Sequence, residues 1–209
     1  MFLLFFLVIH CAGNVLVFVG ADAFNAYGHI LHVNPLLFLI EGYLLLATVF
    51  HAVGGCWLTF KKRKFIARGT TATVLDNAKM AISSVGVLAF LVVHLAQFRF
   101  GAWYDYSSTM DITVLSEGGL ETVPKGTAMR DIYRLEQEVF ADPVNVWGYV
   151  AGLLALGAHA WWGWARAVRK MGLAQEDLPA AETLGKICFT PIVLGFISQP
   201  LYVHYFLKA

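Results

Sequence analysis

Charge is what this sequence has least of. Only 14% of its 209 residues are Asp, Glu, Lys or Arg, against 58% hydrophobic ones, and the mean hydropathy is +0.65. Soluble chains hold about 45–50% apolar and about 25% charged residues, so a soluble domain of this size could not bury so much apolar surface and lipid is the implied solvent. A net charge of +1 predicts no polyanionic partner, and so no nucleic acid. Cysteine is scarce as well. Cys11, Cys56 and Cys188 lie far apart in apolar surroundings without CxxC spacing, and they read as small buried residues rather than a redox or metal motif. Residues 1–20 lack the basic leader and the small-residue cleavage site of a secretory signal, so they read as a retained helix. So abrupt an apolar start also leads us to expect further residues upstream.

What is present is a set of long apolar runs. About 20 apolar residues cross a bilayer as a helix. Five stretches qualify, at 2–20, 36–60, 79–103, 145–167 and 184–206. Lipid offers the backbone no hydrogen-bond partner, so each is expected to be helical. The predicted fold is therefore an all-α membrane protein, one domain over residues 1–209 built as a five-helix transmembrane bundle. Basic residues gather in two connections, Lys61, Lys62, Arg63, Lys64 and Arg68 in one, and Arg166, Arg169 and Lys170 in the other, with Lys186 just beyond. The connection 21–35 has no Lys or Arg, and the long connection 104–144 is mostly acidic. Basic loops stay on the cytoplasmic side, which puts the N-terminus inside and the C-terminus outside. Trp103, Tyr104, Tyr106, Trp147, Tyr149, Tyr202 and Tyr205 cluster at span ends, where interfacial rings collect. Within 104–144, the spacing of Met129, Ile132, Tyr133, Leu135 and Phe140 predicts a short amphipathic helix over about 128–140 on the outer surface.

Four of the seven histidines, His10, His51, His94 and His159, lie well inside the predicted spans. An ionisable side chain at that depth is costly and marks a functional site by default. Counting from the span ends sorts them by level. His10 and His94 each stand roughly 9–10 residues before an outer end, and His51 and His159 roughly 9 residues before an inner end, giving two levels roughly 10 Å apart. A haem iron with two imidazole ligands needs both at one level on facing helices. That pairs His10 with His94 and His51 with His159. Small residues one turn away would give a porphyrin room: Gly13 after His10, Gly54 and Gly55 after His51, and Gly163 after His159. His94 departs from this pattern, with Gln97 and Phe98 in those positions and Gly86 two turns earlier.

Four ordered blocks, HCAGN with FNAY (10–14 and 24–27), NAKMAISSVGVLAFLVVHLAQFRFG (77–101), RDIYRLEQEVF (130–140) and GAHAWWGW leading to MGL (157–164 and 171–173), resemble the dihaem cytochrome b membrane anchor of succinate:quinone oxidoreductases and quinol:fumarate reductases, in its five-helix, single-subunit form. The resemblance covers nearly the whole chain. It implies two b haems, an outer one held by His10 and His94 and an inner one held by His51 and His159. It implies a flavoprotein (FAD) subunit and an iron–sulfur subunit docked on the inner face, electron exchange with a membrane quinone, and a bacterial inner membrane as the location. The chain has no flavin or iron–sulfur motif, so dicarboxylate chemistry would belong to those partners. It departs from the family in a shorter N-terminus and in HAWWG, where a second histidine often stands.

Quinone reduction couples two electrons to two protons, so a proton carrier is expected near one aqueous face. Glu41, one to two turns inside the outer end of the second span, is the candidate catalytic residue, and such an outer-side site favours menaquinone. His29 and His32 in the connection 21–35 are weaker candidates for passing protons, His204 reads as interfacial, and Arg99 is placed to pair with an outer haem propionate. The alternatives are the cytochrome b anchor of another respiratory dehydrogenase, and a haem-free proton or ion transporter using the buried histidines and Glu41 as a relay. A transporter predicts interrupted helices, and only the fifth span contains prolines, Pro191 and Pro200.

Overall fold

The structure, a computed structural model, describes residues 2–66, 71–116, 119–172 and 175–207. Helices dominate in the order α1 (Phe2–Asn14), α2 (Ala21–Val33), α3 (Leu37–Ile66), α4 (Thr71–His94), α5 (Ile132–Ala141), α6 (Pro143–Val168) and α7 (Leu178–Phe206). Three of them contain segments long and apolar enough to cross a membrane, Leu37–Leu58, Val74–Arg99 and Leu178–Phe206. A fourth crossing is reached if α5 and α6, bent by 101° at their junction, count as one span. The side chains of Lys61, Lys62, Arg63 and Lys64, and the whole of Arg68, lie outside the described residues, as do Glu117 and Leu173.

The first predicted span is corrected. Its apolar helix covers only Leu3–Phe18, because the α-helix stops at Asn14 and continues as a 3-10 turn over Val15–Phe18. Asn14 turns its amide back onto the carbonyl oxygen of His10 at 2.7 Å, the local competition that makes asparagine a poor helix-interior residue. Gly20 then adopts φ 131°, which favours glycine, and redirects the chain into α2. Residues 21–35, expected to be a loop, therefore form a helix over most of their length. Its Phe24, Ala26 and Ile30 are buried.

The connection 104–144 is also more ordered than expected. Strands β1 (Asp105–Ser107) and β4 (Ala128–Arg130) pair antiparallel, as do β2 (Ile112–Ser116) and β3 (Gly119–Val123). Val114, Val123 and Met129 from this β-layer close over Ala26 and Ile30 of α2. The amphipathic helix expected at 128–140 is thus a strand followed by α5. Asp131 caps α5 by accepting from the Arg134 amide at 3.0 Å, and Asp142 caps α6 by accepting from the Val144 amide at 2.8 Å. The sharp α5–α6 bend sits at Asp142, held extended at φ −82°, ψ 117° as the residue before a proline must be.

In the packed part of the bundle α6 lies along both α4 and α7. Gly86 of α4 faces the Ala155 methyl, where an added Cβ would come to 2.9 Å, so small residues set the close approach there. Among its described residues α3 has none buried. Helix α7 runs unbroken through Pro191 and Pro200. Of the cysteines only Cys11 is buried, while Cys56 and Cys188 are exposed, which corrects the expectation that all three are interior.

Candidate haem-ligand pairs

Helices α1 and α4 bring His10 and His94 together, with ring centroids 5.9 Å apart and planes at 81°. Helices α3 and α6 do the same for His51 and His159, at 5.8 Å and 81°. Two pairs on four helices thus share one geometry. An iron midway between two imidazoles, with metal–nitrogen bonds of about 2 Å, sets ring centroids about 6 Å apart. The ring separations match that spacing in both pairs. Among the described residues no three His, Cys, Asp or Glu side chains gather to hold a bare metal ion.

The pairs differ in their surroundings. Around the outer pair, Phe6 stacks on His10 at 5.2 Å and 14°, Phe196 of α7 lies 5.6 Å from it, and Phe90, Phe98 and Tyr149 surround His94. His10 Nδ1 lies 3.3 Å from the Asn14 amide nitrogen, and His94 Nδ1 is buried without a partner. The inner pair is less enclosed. His159 Nδ1 lies 3.5 Å from Ser83 Oγ and 3.3 Å from Ser84 Oγ, both on α4. Ten residues of α4 separate Ser84 from His94, so the two levels stand about 15 Å apart along the helix axis, more than the span ends suggested.

The glycines divide. A Cβ added at Gly54, Gly55 or Gly163 would meet nothing within 4 Å, which leaves open space beside His51 and His159, as a flat macrocycle requires. Gly13 is different: its Cβ would strike the Tyr27 ring at 2.3 Å, so the space expected there for a porphyrin is taken by Tyr27.

Glu41 and Arg99 form a two-pronged ion pair, Nε to Oε1 at 2.8 Å and the second nitrogen to Oε2 at 3.0 Å. Arg99, expected beside an outer haem propionate, thus has a carboxylate of this chain as a partner. Arg99 ends a π-helical turn, Leu95–Arg99, directly after His94, an irregularity frequent at functional sites. His32 lies on α2 against Trp103 at 5.7 Å, and His204 Nδ1 is 2.7 Å from the Phe140 carbonyl oxygen.

Sequence reasoning missed three polar residues beside the pairs and a fourth, Asn25, on α2. Asn14 is visible in hindsight, at the position four after His10, and Ser83 and Ser84 are the only paired hydroxyls in the third span. Asn25 gives no such signal, because its partner is Asp131, 106 residues away. No family model, curated protein or solved structure matches this chain.

Proposed function

We propose that this chain is the dihaem cytochrome b membrane anchor of a succinate:quinone oxidoreductase or quinol:fumarate reductase, with α1, α3, α4, α6 and α7 as its five helices. The observation that carries this reading is the repeated geometry of the histidine pairs, 5.9 and 5.8 Å apart and both at 81°. Isolated histidines that merely bond a neighbouring helix have no reason to pair twice at one separation. The resemblance of the four sequence blocks supports the same reading. Two of them meet directly, through Asn25 of FNAY and Asp131 of RDIY.

In this reading His10 and His94 hold the outer b haem, and His51 and His159 the inner one. When bound, the haems supply one-electron transfer between the partner on the inner face and quinone in the membrane. The chain's own residues do the rest. They would orient the imidazoles, leave room for a macrocycle at Gly54, Gly55 and Gly163, and hold a carboxylate, Glu41, as the proton carrier for the quinone. The chain sits in a bacterial inner membrane, N-terminus inside and C-terminus outside, with the iron–sulfur and flavoprotein (FAD) subunits docked on the inner face. Menaquinone is the favoured substrate, and dicarboxylate chemistry lies on the flavoprotein.

The test is a reduced-minus-oxidised spectrum of the purified protein with haem quantified per chain. Two b haems are expected, with one lost in each single His→Ala variant at 10, 51, 94 or 159. Helical protein that carries no haem would remove the reading.

A further inference from the structure

The inner histidine pair is backed by a feature that the outer pair lacks. Ser83 and Ser84 are adjacent on α4, and both hydroxyls reach the same carbonyl, that of Met80, at 3.1 and 2.7 Å. A serine has one hydroxyl proton and two lone pairs. The shorter contacts to Met80 take both protons, so the lone pairs are what these oxygens present to His159 Nδ1, at 3.5 and 3.3 Å. A ring nitrogen facing two acceptors must carry the proton. In the neutral ring this leaves the lone pair on Nε2, the nitrogen farther from the backbone.

On the outer level the corresponding atoms see nothing comparable. His10 Nδ1 faces an asparagine NH2 group, which can only donate, and His94 Nδ1 has no partner. Among the paired histidines His10, His94 and His159, only the Nδ1 of His159 faces acceptors.

Resting on the anchor reading above, we infer that Ser83 and Ser84 are positioning residues that lock His159 in the Nδ1–H tautomer, hold Nε2 ready for the inner haem iron and make that imidazole the more basic ligand. Hydrogen-bond acceptance behind a ligating histidine fixes its orientation and raises its donor strength. A more basic ligand favours the oxidised iron, so the serine pair lowers the inner haem's potential while leaving the outer haem alone.

Redox titration of the purified, haem-loaded protein tests this, comparing the parent with S84A, with the S83A/S84A double variant and with S84T, which restores a hydroxyl. The expected result is an upward shift of one haem midpoint in S84A, a larger one in the double variant, and a return towards the parent value in S84T, with the second midpoint unmoved throughout. Fully loaded double variant with both midpoints at their parent values would overturn the inference. The tautomer is also readable without haem, from the ring nitrogen shifts of 15N-histidine-labelled protein, assigned to His159 by comparison with a His159→Gln variant. Proton on Nδ1 in the parent and redistribution in the double variant support the serine pair even if the parent binds no haem, a result that would count against the anchor reading alone. Nδ1 unprotonated in neutral parent protein would sink the serine role whatever the haem content.

Discussion

Asn25 of α2 donates its amide to the Asp131 carboxylate at 2.8 Å, across 106 residues of chain and with no exposed surface of its own. Its carbonyl oxygen accepts at the same time from the backbone amides of Ile132 and Tyr133, at 2.9 and 3.0 Å. Asp131 accepts from Arg134. Three of the amides that the start of a helix leaves unpaired are thus satisfied by two side chains, and the start of α5 is fastened to α2. Through Phe140, α5 reaches Phe98 and Tyr149, which surround His94. The clamp therefore fixes the roof over the outer histidine pair.

Removing that clamp has a calculable cost. Asn25→Ala leaves the part-buried amides of Ile132 and Tyr133 without their partner and takes one of two donors from Asp131 Oδ1, and we expect a loss of about 2–3 kcal/mol. Thermal unfolding in detergent would report it as a lowered midpoint. On the proposed function, the outer haem should also be lost before the inner one as temperature rises. Simultaneous release of both haems would count against a local role for the clamp.

Glu136 supplies a prediction in pH. It lies on α5, 5% exposed, with Oε2 unpartnered, and burial lifts its carboxyl to about 8. In the unfolded chain the same group titrates near its usual value of about 4.3. The folded state therefore keeps a proton that the unfolded state releases, and this contribution to stability is full below about pH 4 and disappears as pH rises through about 8. Glutamine mimics the protonated form. Glu136→Gln should raise the unfolding midpoint at pH 8.5, raise it far less at pH 5.5, and flatten the parent's slope between them. An equal shift at both values would mean that the carboxyl is not the titrating group.

How much of this could be read from the sequence follows from the range of the interactions involved. Membrane-crossing length and histidine depth depend on local runs, and from them came both pairings, His10 with His94 and His51 with His159, found here in contact. Helix α2 was hidden because Asn25, His29 and His32 make it look polar, and its helical state depends on packing against a β-layer more than 70 residues away. The β-hairpins were hidden for the same reason. Ser83 and Ser84 needed only the relation between α4 and α6, which a single sequence does not carry. The ion pair of Arg99 with Glu41 was not foreseen, because depth alone placed Arg99 and the two residues lie on different spans.

The ion pair between Glu41 and Arg99 sets the terms for testing proton exchange. A bidentate guanidinium keeps both carboxylate oxygens in fixed positions, so Glu41 is held in one orientation rather than swinging. Positioned acid–base groups contribute roughly 100-fold or more to rate. On the proposed function, Glu41→Gln in the complete complex should keep both haem spectra and lose quinone turnover by about that factor, and Arg99→Gln, which frees the carboxylate without removing it, should lose less. Normal haems with parental turnover in Glu41→Gln would eliminate the catalytic role.

The open space beside the inner pair allows the sharpest test of what that pair holds. Side chains added at Gly54 or Gly163 would touch no atom of this chain within 4 Å at the Cβ position, so Gly54→Leu and Gly163→Leu should be accepted by the polypeptide and even favoured in a helix facing lipid. Replacing glycine in a helix interior gains up to about 1 kcal/mol from backbone entropy alone. If a macrocycle lies against these glycines, the same leucines must collide with it. Each variant is then expected to fold with parental helix content, to keep the outer haem, and to lose or loosen the inner one. Two intact haems in both variants would put the macrocycle elsewhere. Since His51 and His159 are themselves untouched, loss of the inner haem alone would locate it by shape rather than by ligand removal.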